Sequence, residues 1–238
     1  AHRKGKGSFR IDRISDGDKA CGFCWTWTCG EEEGLRGTTF VELNDQGEIQ
    51  FVAEIPEPLF KPGNGTVDFL KTLMKDEVFP EAVPLVEKSP TEANEIVKYL
   101  YVDTQNVSPE DSVKVLQKVF RNDITYYDFN FQEPMRSLDE VFRFLDDFRI
   151  PGIQFRPLRF DDGIDSTCFT WEVVLGDIPE SVKGISFYEL DETTRQVKYV
   201  RDIPESAIKP PILGKLARQL RPGLGVFQGV PIGSRSKL

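Results

Sequence analysis

The sequence predicts an α+β fold built from two related curved antiparallel sheet units, the second a helix-covered cone and the first lacking helices ahead of its strands. Three observations predict it. One strand pattern is written twice along 238 residues, side-chain character alternates at period two through both copies, and three helix-start signals precede the second copy only.

The duplication lies in punctuation as well as alternation. Gly37-Thr-Thr-Phe-Val-Glu-Leu-Asn44 resembles Gly184-Ile-Ser-Phe-Tyr-Glu-Leu-Asp191, and Glu54-Ile-Pro-Glu-Pro-Leu-Phe-Lys-Pro62 resembles Asp202-Ile-Pro-Glu-Ser-Ala-Ile-Lys-Pro210. Upstream, Cys24-Trp-Thr-Trp27 matches Cys168-Phe-Thr-Trp171, while Phe9-Arg10, Arg13 and Gly17 match Phe155-Arg156, Arg159 and Gly163. Strand alternation places Phe23, Trp25, Trp27 and Cys29 on one face of the first copy and Phe169, Trp171, Val173 and Leu175 on one face of the second. After each sheet comes a helical stretch, Val67 to Val78 with Phe69, Leu70 and Leu73, or Ile212 to Leu220. Ahead of the second sheet, Ser89-Pro-Thr-Glu92, Ser108-Pro-Glu-Asp111 and Ser137-Leu-Asp-Glu140 each set a capping hydroxyl three residues before a carboxylate. The resulting organisation is a partial first repeat over 1–80 (four strands plus one helix), a linker at 81–88, a complete cone-like second repeat over 89–222 and an extended C-terminal arm at 223–238.

Composition bounds the function. Eighteen Phe, 6 Tyr and 3 Trp supply a globular core, and 30 Lys plus Arg against 39 Asp plus Glu give a net charge of -9 that repels phosphate backbones. Nucleic acid is therefore not an expected partner. The chain offers no run of about 20 apolar residues, so no membrane span is expected, although peripheral association with a membrane complex stays open. His2 is the one histidine, which removes most histidine-based acid–base and metal chemistry. Cys21, Cys24 and Cys29 imitate a metal motif, yet on an extended strand Cys24 points away from the other two. Neither a metal nor a cofactor is expected. The Gly-rich tail lacks the Lys-Ser/Thr pair of a phosphate loop, and its Leu224, Phe227, Val230 and Ile232 suit a docking arm.

Tyr126-Tyr-Asp-Phe-Asn-Phe131 running into Ser137-Leu-Asp-Glu-Val-Phe-Arg-Phe-Leu145, followed by Thr170-Trp-Glu172, Gly184 to Leu190 and Val197 to Asp202, resembles the nuclear transport factor two-like superfamily. The likeness is to its SnoaL-like branch, particularly among plastid proteins, and covers residues 89 to 222. That superfamily holds isomerases, dehydratases, polyketide cyclases and adaptors, so the fold cannot decide the function. If the chain is an enzyme, the resemblance implies a Tyr donor and an Asp base at the strand-to-helix corner, Tyr127 and Asp128, with Tyr126, Trp171, Tyr188 and Asp202 lining the cone. The aromatics Phe23, Trp25, Trp27, Phe40 and Phe51 lack local helices to cover them, which suggests assembly through Trp25, Trp27 and the C-terminal arm. The leading expectation is accordingly a non-enzymatic plastid protein of the chloroplast stroma or pyrenoid. It would assemble with itself or with other plastid proteins, as a shell lattice or as a peripheral subunit of a photosystem supercomplex. The alternative is a SnoaL-like isomerase or cyclase acting on a small apolar substrate. If Ser236-Lys237-Leu238 is the true carboxyl end, it reads as a peroxisomal address.

Overall fold

The computed structural model describes residues 7–205 apart from Leu59. Strands β1 (Gly7–Ile14), β2 (Ala20–Cys29), β3 (Glu32–Leu43) and β4 (Ile49–Pro56) form an antiparallel sheet in chain order. Helix α1 (Asn64–Leu73) follows. Next come α2 (Ala93–Lys98), which runs into a π-helical turn at Tyr99–Asp103, then α3 (Pro109–Val119), β5 (Phe120–Asp128) and α4 (Leu138–Asp147). Strands β6 (Ile153–Phe160), β7 (Ser166–Leu175), β8 (Ile178–Leu190) and β9 (Val197–Pro204) complete a second sheet of order β5-β9-β8-β7-β6, antiparallel except where β5 runs parallel to β9.

The caps explain where the helices start. Ser108 Oγ accepts the Asp111 amide at 3.1 Å and Ser137 Oγ accepts the Glu140 amide at 3.3 Å, each replacing a carbonyl the first turn cannot supply. Ser89 does not cap. Helix α2 begins at Ala93, and the Ala93 and Asn94 amides donate instead to the carbonyls of Ile164 and Gly163 in the β6–β7 turn. A tertiary partner has replaced the local one. Helix α1 is likewise displaced from the expected Val67 to Val78: it buries Val67, leaves Phe69 64% exposed, and packs with Met74 against Ile150 and Leu175 of the second unit.

The second sheet buries its inner face under the helices, with Ile96, Val97, Val115, Val119 and Val141 packed on Phe169, Trp171 and Tyr188. Its outer face packs on the first sheet through Ala20, Cys24 and Phe40 against Cys168, Ile185 and Phe187. This contact has an approximate two-fold character that can be read residue by residue. Arg13 pairs with Glu189 and lies 3.8 Å over the Tyr199 ring, while its counterpart Arg159 pairs with Glu42 at 2.5 Å and lies 4.3 Å over Phe51. Asp162 accepts the Asp18 amide at 2.9 Å, and Asp16 accepts the Ile164 amide at 3.2 Å. Equivalent faces of the two units therefore meet.

The register also revises the sequence match in one strand. Trp25 pairs with Gly37 and Trp171 pairs with Gly184, so Trp25 stands where Trp171 does and Gly22 stands where Cys168 does. A two-residue slip keeps every side chain on its face, so alternation alone does not reveal it. The same register separates the early aromatics. Phe40 lies opposite Gly22 and Phe51 opposite Glu42, on the face that the second sheet covers, whereas Trp25 and Trp27 point away from it. Trp25 is covered within its own unit, edge-on to Phe9 at 5.4 Å and laid over Gly37, and is 6% exposed.

Candidate active site

Tyr126 and Asp128 of β5, Asp202 of β9, Ser186 and Tyr188 of β8 and Trp171 of β7 share the inner face of the second sheet. Strand alternation sets Tyr126 two residues from Asp128, and the register aligns Asp128 and Ser186 with Asp202 on either side of β9. Tyr126 Oη donates to Asp202 Oδ2, and Ser186 Oγ donates to Asp202 Oδ1. Trp171 Nε1 in turn donates to Ser186 Oγ at 2.7 Å. From the π-helical turn, Tyr101 shares a hydroxyl–hydroxyl hydrogen bond with Tyr188 and stacks on Phe155 at 4.6 Å. Asp128 Oδ1 accepts the Asn130 amide at 2.7 Å.

Burial dominates the electrostatics. It pushes the Asp128 carboxyl up to about 7, helped by the negative charge of Asp202 beside it. It pushes Asp202 up to about 6, against the hydrogen bonds from Ser186 and Tyr126 that favour its ionised form. The phenols of Tyr101, Tyr126 and Tyr188 are raised by the same desolvation and stay protonated as hydrogen-bond donors at neutral pH. Two acids and three phenols thus lie together on the helix-covered face. Tyr188 and Tyr126 are 0% and 2% exposed, and Tyr101 is the half-buried member that reaches solvent.

Of the residues anticipated from the sequence, Tyr126, Asp128, Trp171, Tyr188 and Asp202 are brought together. Tyr127 is not. Neighbours on a strand face opposite sides, and the Tyr127 ring lies on the outer face, 5.8 Å from Tyr199. The anticipated Tyr127–Asp128 pair is therefore split by the sheet, and Tyr126 takes the phenol's place. Ser186 and Tyr101 were missed. The signal for Ser186 was present in the repeat, because Thr39 occupies the same place in the first unit. There Trp25 Nε1 donates to Thr39 Oγ1 at 3.0 Å, and Thr39 Oγ1 donates to Glu54 Oε2 at 3.1 Å. Tyr101 depends on the π-helical turn, which no periodicity announces.

Trp25 is buried and Trp27 half-buried, while Leu224, Phe227, Val230 and Ile232 lie outside the described residues. Among the described residues no cluster of three or more His, Cys, Asp or Glu side chains is arranged to hold a metal ion, and no helix is long and apolar enough to cross a membrane. Two open clefts of about 480 and 290 Å³ flank the sheet-to-sheet contact, and neither is lined by Asp128 or Asp202.

No protein-family model matches the sequence, and no curated protein matches it. Solved structures with a similar fold include a candidate isomerase of the SnoaL-like family from Agrobacterium tumefaciens, 14% identical, with 47% of this chain and 93% of that one aligned at a TM-score of 0.40. A candidate ketosteroid isomerase from Kribbella flavida is 23% identical over 51% of this chain and 87% of its own, at a TM-score of 0.39. An LEH-like epoxide hydrolase of M. tuberculosis is 14% identical over 58% and 99%, at a TM-score of 0.37. At these identities the likeness concerns the fold alone.

The expectation of a non-enzymatic plastid scaffold is corrected. Its premise was a single uncovered aromatic face, and the register instead divides those aromatics between a face sealed by the second sheet and the opposite face, where Trp25 is buried while Phe9 and Ile11 beside it are exposed. The cone interior holds buried acids rather than a plain apolar core. The expectation that the chain is not an enzyme loses its support with it. The α+β fold with two sheets stands.

Proposed function

We propose that the second unit is a proton-transfer enzyme of the isomerase or cyclase type, acting on a small apolar carbonyl compound, with Asp128 as the group that takes and returns the proton. One observation carries the reading. The Trp–hydroxyl–carboxylate relay occurs in both units, so by itself it is a device that holds the sheet together. Asp128 belongs to β5, which has no counterpart among the described residues of the first sheet, and it sits buried beside Asp202 with its pKa raised to about 7, close to the optimum for exchanging protons at neutral pH.

In this scheme Asp202 holds Tyr126, whose single O–H is spent on that carboxylate, and the Tyr101–Tyr188 pair, which uses one of its two hydroxyl protons internally, supplies the donor for the oxygen on which negative charge develops when an α-proton leaves. The helices exclude water from the face on which this happens. Ser186 is a positioning residue, since it reaches the reaction only through Asp202.

The test is exchange of α-protons. A panel of small cyclic ketones is incubated with the protein in D2O at neutral pH and followed by proton NMR. Exchange above the buffer rate is expected for at least one ketone, falling about 100-fold or more in Asp128→Asn while Ser186→Ala loses less. Buffer-level exchange across the panel, or an Asp128→Asn variant as fast as the parent, overturns the reading.

A further inference from the structure

On the opposite face of the same strands, three cations gather around one ring. The guanidinium carbons of Arg201 and Arg36 and the Lys61 ammonium lie 4.9, 5.0 and 5.0 Å from the centre of the buried Phe129 ring. Their negative partners are already engaged. Glu57 is clamped bidentately by Arg36 at 2.7 and 2.8 Å and also pairs with Lys61. Asp12 accepts from Arg10 at 2.8 Å and from Thr26 at 2.6 Å, and its approach to Arg201 Nη1 is only 3.8 Å.

Arg201 is the anomaly. Its side chain is 4% exposed, yet Nε and Nη2, two adjacent prongs of the guanidinium fork, have no hydrogen-bond partner. Buried donors are satisfied as a rule, and a buried charge is retained where something pairs with it. Beside it stand the half-buried Tyr127 and Tyr199, whose rings are 5.8 Å apart and whose hydroxyls have no hydrogen-bond partner among the described residues.

We propose that this cluster is a binding site for a small oxyanion, held by the buried, unpartnered edge of Arg201 and the Tyr127 hydroxyl, with Arg36 and Lys61 adding positive charge while they stay bonded to Glu57. An oxyanion does two things a water cannot. It accepts from two guanidinium nitrogens at once in the planar geometry that Arg matches, and it neutralises the excess positive charge. Three cations face two carboxylates here, Glu57 and Asp12, and Asp12 is shared with Arg10. The site is independent of the proton-transfer reading, because Arg201 and Asp202 project to opposite faces of β9.

The experiment is isothermal titration of the purified chain with inorganic phosphate at constant ionic strength, and separately with acetate, to distinguish a phosphate from a carboxylate site. One saturable site per chain is expected, with a dissociation constant at or below about 1 mM for one of the two anions. Arg201→Met should abolish it. Because that variant opens a buried site, Tyr127→Phe and Arg36→Gln serve as milder probes, each expected to weaken binding several-fold while far-UV circular dichroism is unchanged. No saturable binding of either anion, or affinity unchanged in both milder variants, overturns the proposal.

Discussion

Gly22 lies against Cys168 where the two sheets meet, and the register makes the two residues counterparts in the two units. A Cβ placed on Gly22 would sit 2.1 Å from Cys168 Sγ and 2.2 Å from its Cβ. A strict two-fold contact would bring the same side chain to this point from both sides. The chain solves the collision by keeping a side chain on one strand and none on the other.

Gly22→Ala should therefore destabilise the fold by about 1–3 kcal/mol through overpacking. Cys168→Gly in the same chain should recover a large part of the loss, because it opens the space that the new methyl needs. Urea denaturation of both single variants and the double variant closes the cycle. Simple additivity of the two costs would mean that the residues do not share this space.

The reciprocal arginines give a second measurable symmetry. Arg13 and Arg159 have side chains 36% and 44% exposed, so each ion pair contributes at most about 1 kcal/mol. Glu189→Gln and Glu42→Gln should cost similar small amounts, and both effects should shrink toward zero near 1 M salt, where the screening length is about 3 Å. A loss several times larger for one than for the other would show that the halves of the contact are not energetically equivalent.

The two sheets, their strand order and the Ser108 and Ser137 caps were legible because each is written locally, in alternation, turn residues and capping hydroxyls. What escaped is non-local. The use of the Ile164 and Gly163 carbonyls by the first turn of α2 depends on a contact about 70 positions away, and Ser89 looks like a cap without it. The error over Tyr127 was of another kind: adjacent strand residues face opposite sides, so the sequence already forbade a Tyr127–Asp128 pair. The outward pairing of Phe40 and the inward pairing of Trp25 likewise follow only once the register against Gly37 is known.

The relay common to both units predicts a structural cost separable from any catalytic one. Ser186→Ala leaves the Trp171 indole N–H and one Asp202 oxygen without their shared partner, for about 1–3 kcal/mol. Thr39→Ala removes the same link in the first unit, but Glu54 is exposed and water can replace it, so the cost should be smaller. Thermal melts of the two variants rank them. An equal loss in both would remove the distinction between the sealed and the open relay.

Asp128 and Asp202 predict how stability depends on pH. Both carboxyls are raised from 3.8, to about 7 and about 6, so the folded chain binds more protons than the unfolded chain between roughly pH 4 and 7. Unfolding free energy contributed by these groups is therefore greatest at low pH, falls as the pH rises through that window, and levels off above it. Asp16 behaves in the opposite sense. Burial is outweighed there by hydrogen bonds from the Asp165, Ser166 and Ile164 amides, its pKa is lowered, and its contribution is lost only as the pH falls below about 4. The two windows do not overlap, which makes the interval from pH 4.5 to 7.5 diagnostic for the buried pair. Asp128→Asn cannot ionise, so it should match the parent near pH 4.5 and exceed its stability at pH 7.5 by on the order of 2 kcal/mol. Urea midpoints measured across this interval decide the matter: a parent whose stability climbs steadily to pH 7.5, with the variant running parallel to it, would mean that these acids are not held in the environment described.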